Sequence, residues 1–420
     1  MAAGFSATET PREAAPGWHP PRGLHETQSP VTPSNASYKT WGSGIDPEAK
    51  TQMDAAISLP ITVAGALMPD AHVGYGLPIG GVLATEDAVI PYGVGVDIAC
   101  RMMMTIFDAS PAALRTDHDL LRKAIEKNTR FGVGAEWKER KYHEVMDEDW
   151  DVSSVTRDYK DKAHRQLGTS GSGNHFVEFG EVEFSADAAG VPAGTYLALL
   201  SHSGSRGTGA AVADYYTKVA RRLHPELEGH ARNLAWLSLD REEGMEYWSA
   251  MQLMGKYASA NHHLIHEAIV ECLGRPVLRQ IENHHNFAWR EKHRGRQVIV
   301  HRKGATPAGK GMIGIIPGSM ASPGFVVEGL GNPVSLDSAS HGAGRRMSRK
   351  AAMDRFTWKE ILESLRKQGV ELLSAGIDEA PWAYKNINEV MEAQTDLANP
   401  IGRFMPRIVK MAPAGERPED

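Results

Sequence analysis

Apolar runs of strand length recur along this chain, and many of them stop at a small cluster of glycine with histidine, asparagine, serine or arginine. The runs at residues 61–68, 102–107, 196–200, 298–301, 313–316 and 325–327 predict strands. Glycine makes up 42 of 420 residues. At strand ends it lets the backbone come close to an anion and adopt φ > 0, which is how loops around charged groups are built. Helical patterns lie between the strands. Ser110 and Pro111 predict an N-cap and first position for a helix reaching about Asn128. Residues 240–273 predict a long helix, opened by Asp240 and Glu243 and closed by Gly274. Residues 354–368 predict another, amphipathic one. The irregular interleaving, without internal repeats, predicts one large mixed α/β (α+β) domain.

Composition sets its limits. Residues 1–45 are rich in Pro, Ser, Thr, Ala and Gly and are expected to be an extension outside the fold; 46–412 form the domain, and 413–420 a polar tail. The apolar fraction of 41% suffices for a sizeable core. A net charge of −6 means that any nucleic-acid contact must come from a local basic patch. Two cysteines, Cys100 and Cys272, form no disulfide framework and suit a reducing compartment. No run of about twenty apolar residues and no signal-peptide core is present, so a soluble, cytoplasmic protein without membrane contact is expected.

The chemistry is carried by histidines at apolar-to-glycine junctions: His72, His175, His202, His285 and His341. One such histidine is usually structural; five flanked by Gly, Asn and Ser point to a site at strand ends. Asp97 and Cys100 add a carboxylate and a thiol, and with the imidazoles they form a mixed donor set for Mn, Fe, Co or Zn. Cys272, in an apolar helix end, reads as core. The stretch from Gly204 to Gly209, with Arg206, and the stretch from His341 to Arg349 read as phosphate-handling loops. Residues 304–310 imitate a Walker A loop, but Gly311 stands where a hydroxyl should bind magnesium and a strand follows. His262 and His266 have zinc-like spacing without the accompanying glutamate, and read as one face of an ordinary helix.

Several motifs stand in one order: Met68-Pro-Asp-Ala-His-Val-Gly-Tyr-Gly-Leu-Pro-Ile-Gly-Gly81, Gly95-Val-Asp-Ile-Ala-Cys100, Gly171-Ser-Gly-Asn-His-Phe-Val-Glu178, His202-Ser-Gly-Ser-Arg206, His285-Asn286, His301-Arg-Lys-Gly-Ala-Thr306, Pro317-Gly-Ser-Met320 and His341-Gly-Ala-Gly-Arg345. From about Leu67 to Lys410 the chain resembles the RtcB family of RNA ligases. The resemblance implies a family-specific fold around a metal- and nucleotide-binding cleft. It also implies GTP as cosubstrate, two Mn²⁺ ions, and RNA partners with a 3′-phosphate (or 2′,3′-cyclic phosphate) and a 5′-hydroxyl. By position, Asp97, Cys100 and His175 would hold one ion, and Cys100, His202 and His285 the other. His341 would be the guanylylated nucleophile. Asn174, Glu178, Asn286, Pro317, Gly318, Ser319, Met320, Gly342, Ala343, Gly344 and Lys410 would contact GTP. Arg206, Arg345 and Arg349 are the candidates for the RNA backbone; Asp70 lies in a shared motif without an assigned role.

Three departures from the family pattern stand out. Ala99 and Arg101 flank Cys100, Gly324 replaces a serine after the Pro317 turn, and a tail follows Lys410. Arg101 is expected to crowd the metals. Two rival readings remain at this level: a metal-dependent phosphoesterase that opens cyclic phosphates without needing His341, and a non-ligating RNA-binding paralogue.

Overall fold

The computed structural model describes residues 36–413. Its larger sheet has eight strands. Seven run in the order Ile313–Ile316, Gly324–Gly329, Ala398–Met411, Phe176–Phe184, Gly194–Ser203, Arg101–Phe107 and Val277–His284, and Glu371–Ser374 joins Ala398–Met411 in parallel. All other pairings in it are antiparallel. The two ends of this order come together. The Asn283 carboxamide accepts from the Ile315 N–H at 2.9 Å and donates to its carbonyl at 3.2 Å, pairing as a peptide group would. The sheet therefore curls into a nearly closed barrel.

Period two explains its two faces. Ala198 and Leu200 point inward, onto Met102, Met104 and Phe404. Leu197 and Leu199 point outward, onto Ile265 and Ile269 of the long helix and onto the helix His118–Asn128. Arg101–Phe107, paired on both sides and covered on both faces, is buried at every position, as its apolar sequence requires.

A second sheet has the order Tyr38–Thr40, Thr62–His72, Ile79–Thr85, Arg296–Lys303 and Phe287–His293. The chain passes from the barrel to this sheet at His285 and Asn286, where Asn286 takes φ +53°. That crossing puts the candidate residues at the seam between the sheets.

Four boundaries differ from expectation. Residues 36–45 belong to the fold rather than to an extension: Tyr38–Thr40 pairs with Thr62–His72, and buried Trp41 donates to Asp396 at 2.9 Å. A three-residue strand is too short to show as periodicity. The rest of the expected extension, and the tail from 414, lie outside the described residues. The helix predicted to reach Asn128 is two, Ala113–Thr116 and His118–Asn128, interrupted where Asp117 pairs with Arg275. The segment 354–368 is also divided. Arg349–Arg355 ends at extended Phe356, and Thr357 opens Trp358–Lys367 with a reciprocal Glu360 capping box. The long helix, Glu242–Leu273, does stop at left-handed Gly274, but Asp240 binds the Ser238 hydroxyl instead of capping it. Cys272 is exposed on that helix, not core.

Buried histidines outside the cleft, His301 and His266 among them, give the fold a pH dependence. His301 accepts from the Ile90 N–H at 2.9 Å, and its other nitrogen donates to the Leu83 carbonyl at 3.2 Å. Burial holds His301 at about 4 and His266 at about 3. Folded values below the unfolded one mean that the unfolded chain takes up protons first. Stability is therefore full above about pH 6.5 and falls as the pH drops toward 3–4, by roughly 1.4 kcal/mol per pH unit for each group. Urea midpoints measured from pH 8 to 5 should decline from about pH 6.5, and less steeply in His301→Gln.

Candidate active site

Each donor sits at or beside a strand end. Cys100 precedes Arg101–Phe107, His175 precedes Phe176–Phe184, His202 is near the end of Gly194–Ser203, and His285 follows Val277–His284. Asp97 arrives on the loop after the helix Pro91–Val94. Two sets form, Asp97 with Cys100 and His175, and Cys100 with His202 and His285, each with its donor atoms within 4.8 Å of one another. Cys100 is common to both. Its Sγ lies 3.4 Å from His175 Nε2 and 3.0 Å from His202 Nε2, and His175 Nε2 is 3.0 Å from Asp97 Oδ2. All five are at most 5% exposed.

The electrostatics suit cation ligands. Burial, with neighbouring His175, holds His202 at about 3, and burial with His341 and His202 nearby pushes His285 well below its ordinary value. Both imidazoles are neutral, with lone pairs to give. Burial would raise the Asp97 carboxyl, but the His175 bond and charge, Cys100 and Arg206 together keep it below the usual range. The Ser205 N–H also donates to Asp97 at 3.0 Å. The start of the helix Arg206–Leu223 is thus directed at Asp97 rather than at a phosphate. Gly204 has to be glycine, because a Cβ there would collide with the Asp97 carboxylate.

A cleft of about 1000 Å³ opens over this cluster. His341 lies on its wall, with its ring 4.7 Å from that of His285. Its Nδ1 is 2.7 Å from Oδ2 of Asp70, a residue with 0% exposure. Lys385 clamps the strand carrying Asp70 by donating to the Pro69 and Ala71 carbonyls at 3.0 and 2.7 Å. Gly344, at φ +72°, lets the following turn pass against the Asp70 carbonyl. His72 lines the same wall, held at about 4 by burial.

Asn174, Asn286, Pro317, Gly318, Ser319, Gly342, Ala343 and Gly344 also line the cleft. Glu178 faces a side recess with Ser319, Ser322 and Gly324, where burial raises its carboxyl well above the ordinary range. Met320 is buried beneath, against Ile361 and Leu365. Lys410 does not join them. Its ammonium turns to the barrel's outer face, donating to Thr129 at 3.0 Å and lying over Phe131.

The arginines divide similarly. Arg206 is 1% exposed, donating to Thr169 at 3.0 Å and to the Gly132 carbonyl at 3.4 Å, so it braces the donor loops and is not a surface contact. Arg345 and Arg349 do line the cleft, but Asp378, Glu379 and Tyr384 hold their guanidinium groups. Lys303 went unassigned in the sequence, whereas Arg346 falls within the stretch from His341 to Arg349 read there as a phosphate-handling loop. Lys303 is buried in the wall and pushed down to about 7; Arg346 is exposed at the mouth. The His341 motif contains Arg346, but only the structure distinguishes it from its neighbours.

The departures now have places. Arg101 does not crowd the donors. It leaves the opposite face of its strand, donates to the Gly255 carbonyl at 3.1 Å and pairs with Glu282. Ala99 takes φ +57°, a conformation asparagine or glycine adopts more easily. His262 and His266 are fully buried and hydrogen-bonded in series. His262 Nε2 donates to the Ser203 carbonyl at 3.1 Å, Ser201 bridges both rings at 2.9 and 2.8 Å, and Thr105 lies 2.7 Å from His266. This chain braces the strand ends carrying His202 and Cys100.

The family model described as tRNA-splicing ligase RtcB matches residues 52–411. Among curated relatives, the RNA-splicing ligase RtcB of Escherichia coli K12 is 33% identical over 406 residues, covering 88% of this chain and 96% of that protein. The tRNA-splicing ligase RtcB of Thermococcus kodakarensis is 30% identical over 414 residues, covering 81% and 86%. The RNA-splicing ligase RtcB of Mycobacterium tuberculosis is 31% identical over 421 residues, covering 82% and 96%. The matched span takes in every donor of the cluster, both partners of the His341–Asp70 pair and the strands that carry them, and the chain belongs to the RtcB family.

Proposed function

We propose that the chain is an RNA ligase that uses GTP and two Mn²⁺ ions to join a 3′-phosphate or 2′,3′-cyclic phosphate end to a 5′-hydroxyl end. The observation that carries this reading is His341, hydrogen-bonded through Nδ1 to buried Asp70 and standing against His285 of the donor cluster. Asp70 fixes the tautomer. With the proton on Nδ1, the Nε2 lone pair is left to attack.

Asp97, Cys100 and His175 would hold one ion, and Cys100, His202 and His285 the other. Bound there, the ions would neutralise phosphate charge and align the attacking and leaving groups. His341 Nε2 attacks the α-phosphorus of GTP, the bond to pyrophosphate breaks, and GMP stays on the ring as a phosphoramidate. Asp70 stabilises the positive charge that the ring develops. An RNA 3′-phosphate oxygen then takes GMP from His341, and attack by the 5′-hydroxyl seals the strand and releases GMP. A cyclic end is hydrolysed to the 3′-phosphate first.

Glu178, in the small recess beside the cleft, is the group that would read the guanine edge. Glu178 is a buried carboxyl raised by desolvation, and the two adjacent N–H donors of a guanine edge would satisfy it. The turn from Pro317 to Ser319 borders both that recess and the cleft, which Asn174 and Asn286 line with His341, and these residues would contact the rest of the nucleotide.

Incubation with Mn²⁺, GTP and RNA strands bearing 3′-phosphate and 5′-hydroxyl ends should yield joined product. Omitting GTP or Mn²⁺ should remove it. Opening of the cyclic phosphate without joining, under conditions where GTP is bound, would instead establish the phosphoesterase reading.

A further inference from the structure

The cleft does not end at the His341 turn. Arg346 and Arg349 line its mouth, and the helix Arg349–Arg355 leads away from it, packed against Ile377–Glu379. Along this helix Lys350, Met353 and Arg355 are exposed. Beyond its end Phe356 stands 5.4 Å from Trp382, centroid to centroid, at an interplanar angle of 39°. Arg355 lies over the Phe356 ring, and Trp382 remains 37% exposed. Trp382 lies in the turn Pro381–Ala383, immediately before Tyr384, which lines the cleft.

Phe356 packs on its inner side against the cluster of Ile361 and Leu365, so the ring that water reaches most is Trp382, backed by Phe356. Arg346 and Lys350 make no ion pair among the described residues, and neither does Asp354, the helix's one acidic residue. Cations without an ion pair set around an exposed aromatic ring are the pattern by which proteins hold single strands, with a base stacking and phosphates following the charges. In a chain of net charge −6 such a strip is local.

We propose that Arg346, Lys350, Met353, Arg355, Phe356 and Trp382 form a track for single-stranded RNA leaving the cleft. A base would stack on Trp382, which Phe356 backs, and phosphates would pass Arg346, Lys350 and Arg355. The proposal rests on the reading that RNA ends meet in the cleft, and it identifies where the strand goes next.

The test uses the full chain loaded with Mn²⁺ and unstructured oligoribonucleotides of increasing length carrying a 3′-phosphate, with binding followed by fluorescence anisotropy. Wild-type affinity should rise with length beyond the few nucleotides that the cleft can hold. Trp382→Ala should weaken the longer oligonucleotides about tenfold, the loss of one base stack, and leave the shortest unchanged. Lys350→Gln with Arg355→Gln, both exposed and harmless to folding, should lower the slope of log K against log salt by roughly 0.7 per charge removed. Labelling of the protein by GTP should stay at the wild-type level in all variants. Wild-type affinity that does not depend on length, or variants that bind long RNA with unchanged affinity and slope, would overturn the track. Length-dependent binding that the variants lose, in a protein that neither labels nor ligates, would uphold the track and sink the ligase reading.

Discussion

His341→Ala is expected to abolish the transfer of labelled GMP from α-³²P-GTP to the protein, and Asp70→Asn to lower it about 10³- to 10⁴-fold with the histidine still present. The second expectation comes from tautomer control. Asp70 is fully buried, its Oδ2 is 2.7 Å from His341 Nδ1, and its Oδ1 has no hydrogen-bond partner among the described residues. A carboxylate can only accept, so Nδ1 must carry the proton and Nε2 the lone pair. An amide in its place can turn an N–H toward Nδ1. The ring then protonates at Nε2 and loses its nucleophile, an effect known to cost about 10⁴-fold when an aspartate orients a catalytic histidine. The assay is an acid-labile band on a denaturing gel, timed over minutes for wild type and over days for the variants. Asp70→Asn labelled at the wild-type rate would leave the hydrogen bond without a catalytic part. His341→Ala that still carries label would remove His341 as the nucleophile. If His341→Ala opens cyclic phosphates normally, hydrolysis is a separable step that uses only the donor cluster.

Much of the site was legible in the sequence because strand-end residues need no knowledge of strand orientation. Cys100, His175, His202 and His285 all sit at or beside the ends of strands, where the seam between two sheets gathers them. Side chains within strands were misread, and the reason is parity. Along a strand, adjacent residues face opposite ways, so a shift of one residue exchanges core for surface. Arg101 adjoins a donor in sequence yet points to the far side of the sheet. Lys410 follows an irregularity between Pro406 and Ile408 and pairs with Val177, which faces outward, while Met411 lines the cleft. No pattern in one chain shows such a bulge. Arg206 was misplaced for another cause: an arginine after Gly204 looks like a phosphate ligand, but its own φ of +59° turns it under the donor loops. The Asp70–His341 bond, across 271 residues, was likewise invisible until the fold closed it.

Cys100→Ser should remove more metal than the loss of any other donor, because it is the only residue in both sets. Asp97→Ala weakens one set and His202→Ala the other, leaving each time a second set with its thiolate. Serine is nearly isosteric, but its hydroxyl does not ionise near neutral pH, so neither ion would keep its soft anionic ligand. Altering a residue that merely supports a ligand costs 10- to 100-fold in affinity, and removing a shared ligand should exceed that. Mn²⁺ bound after equilibrium dialysis should fall from two ions per chain to none at concentrations that saturate wild type, with RNA joining lost in parallel. Co²⁺ gives a second view: the intense sulfur-to-metal absorption of the wild type should vanish in Cys100→Ser and persist in Asp97→Ala and His202→Ala. The variant should fold, since Sγ is packed among polar groups, with the Ser203 carbonyl 3.2 Å away to accept a hydroxyl proton. Two ions retained by Cys100→Ser would show that the two sets do not share a ligand. One ion retained, with joining intact, would show instead that a single metal suffices and that the histidines of one set serve the fold.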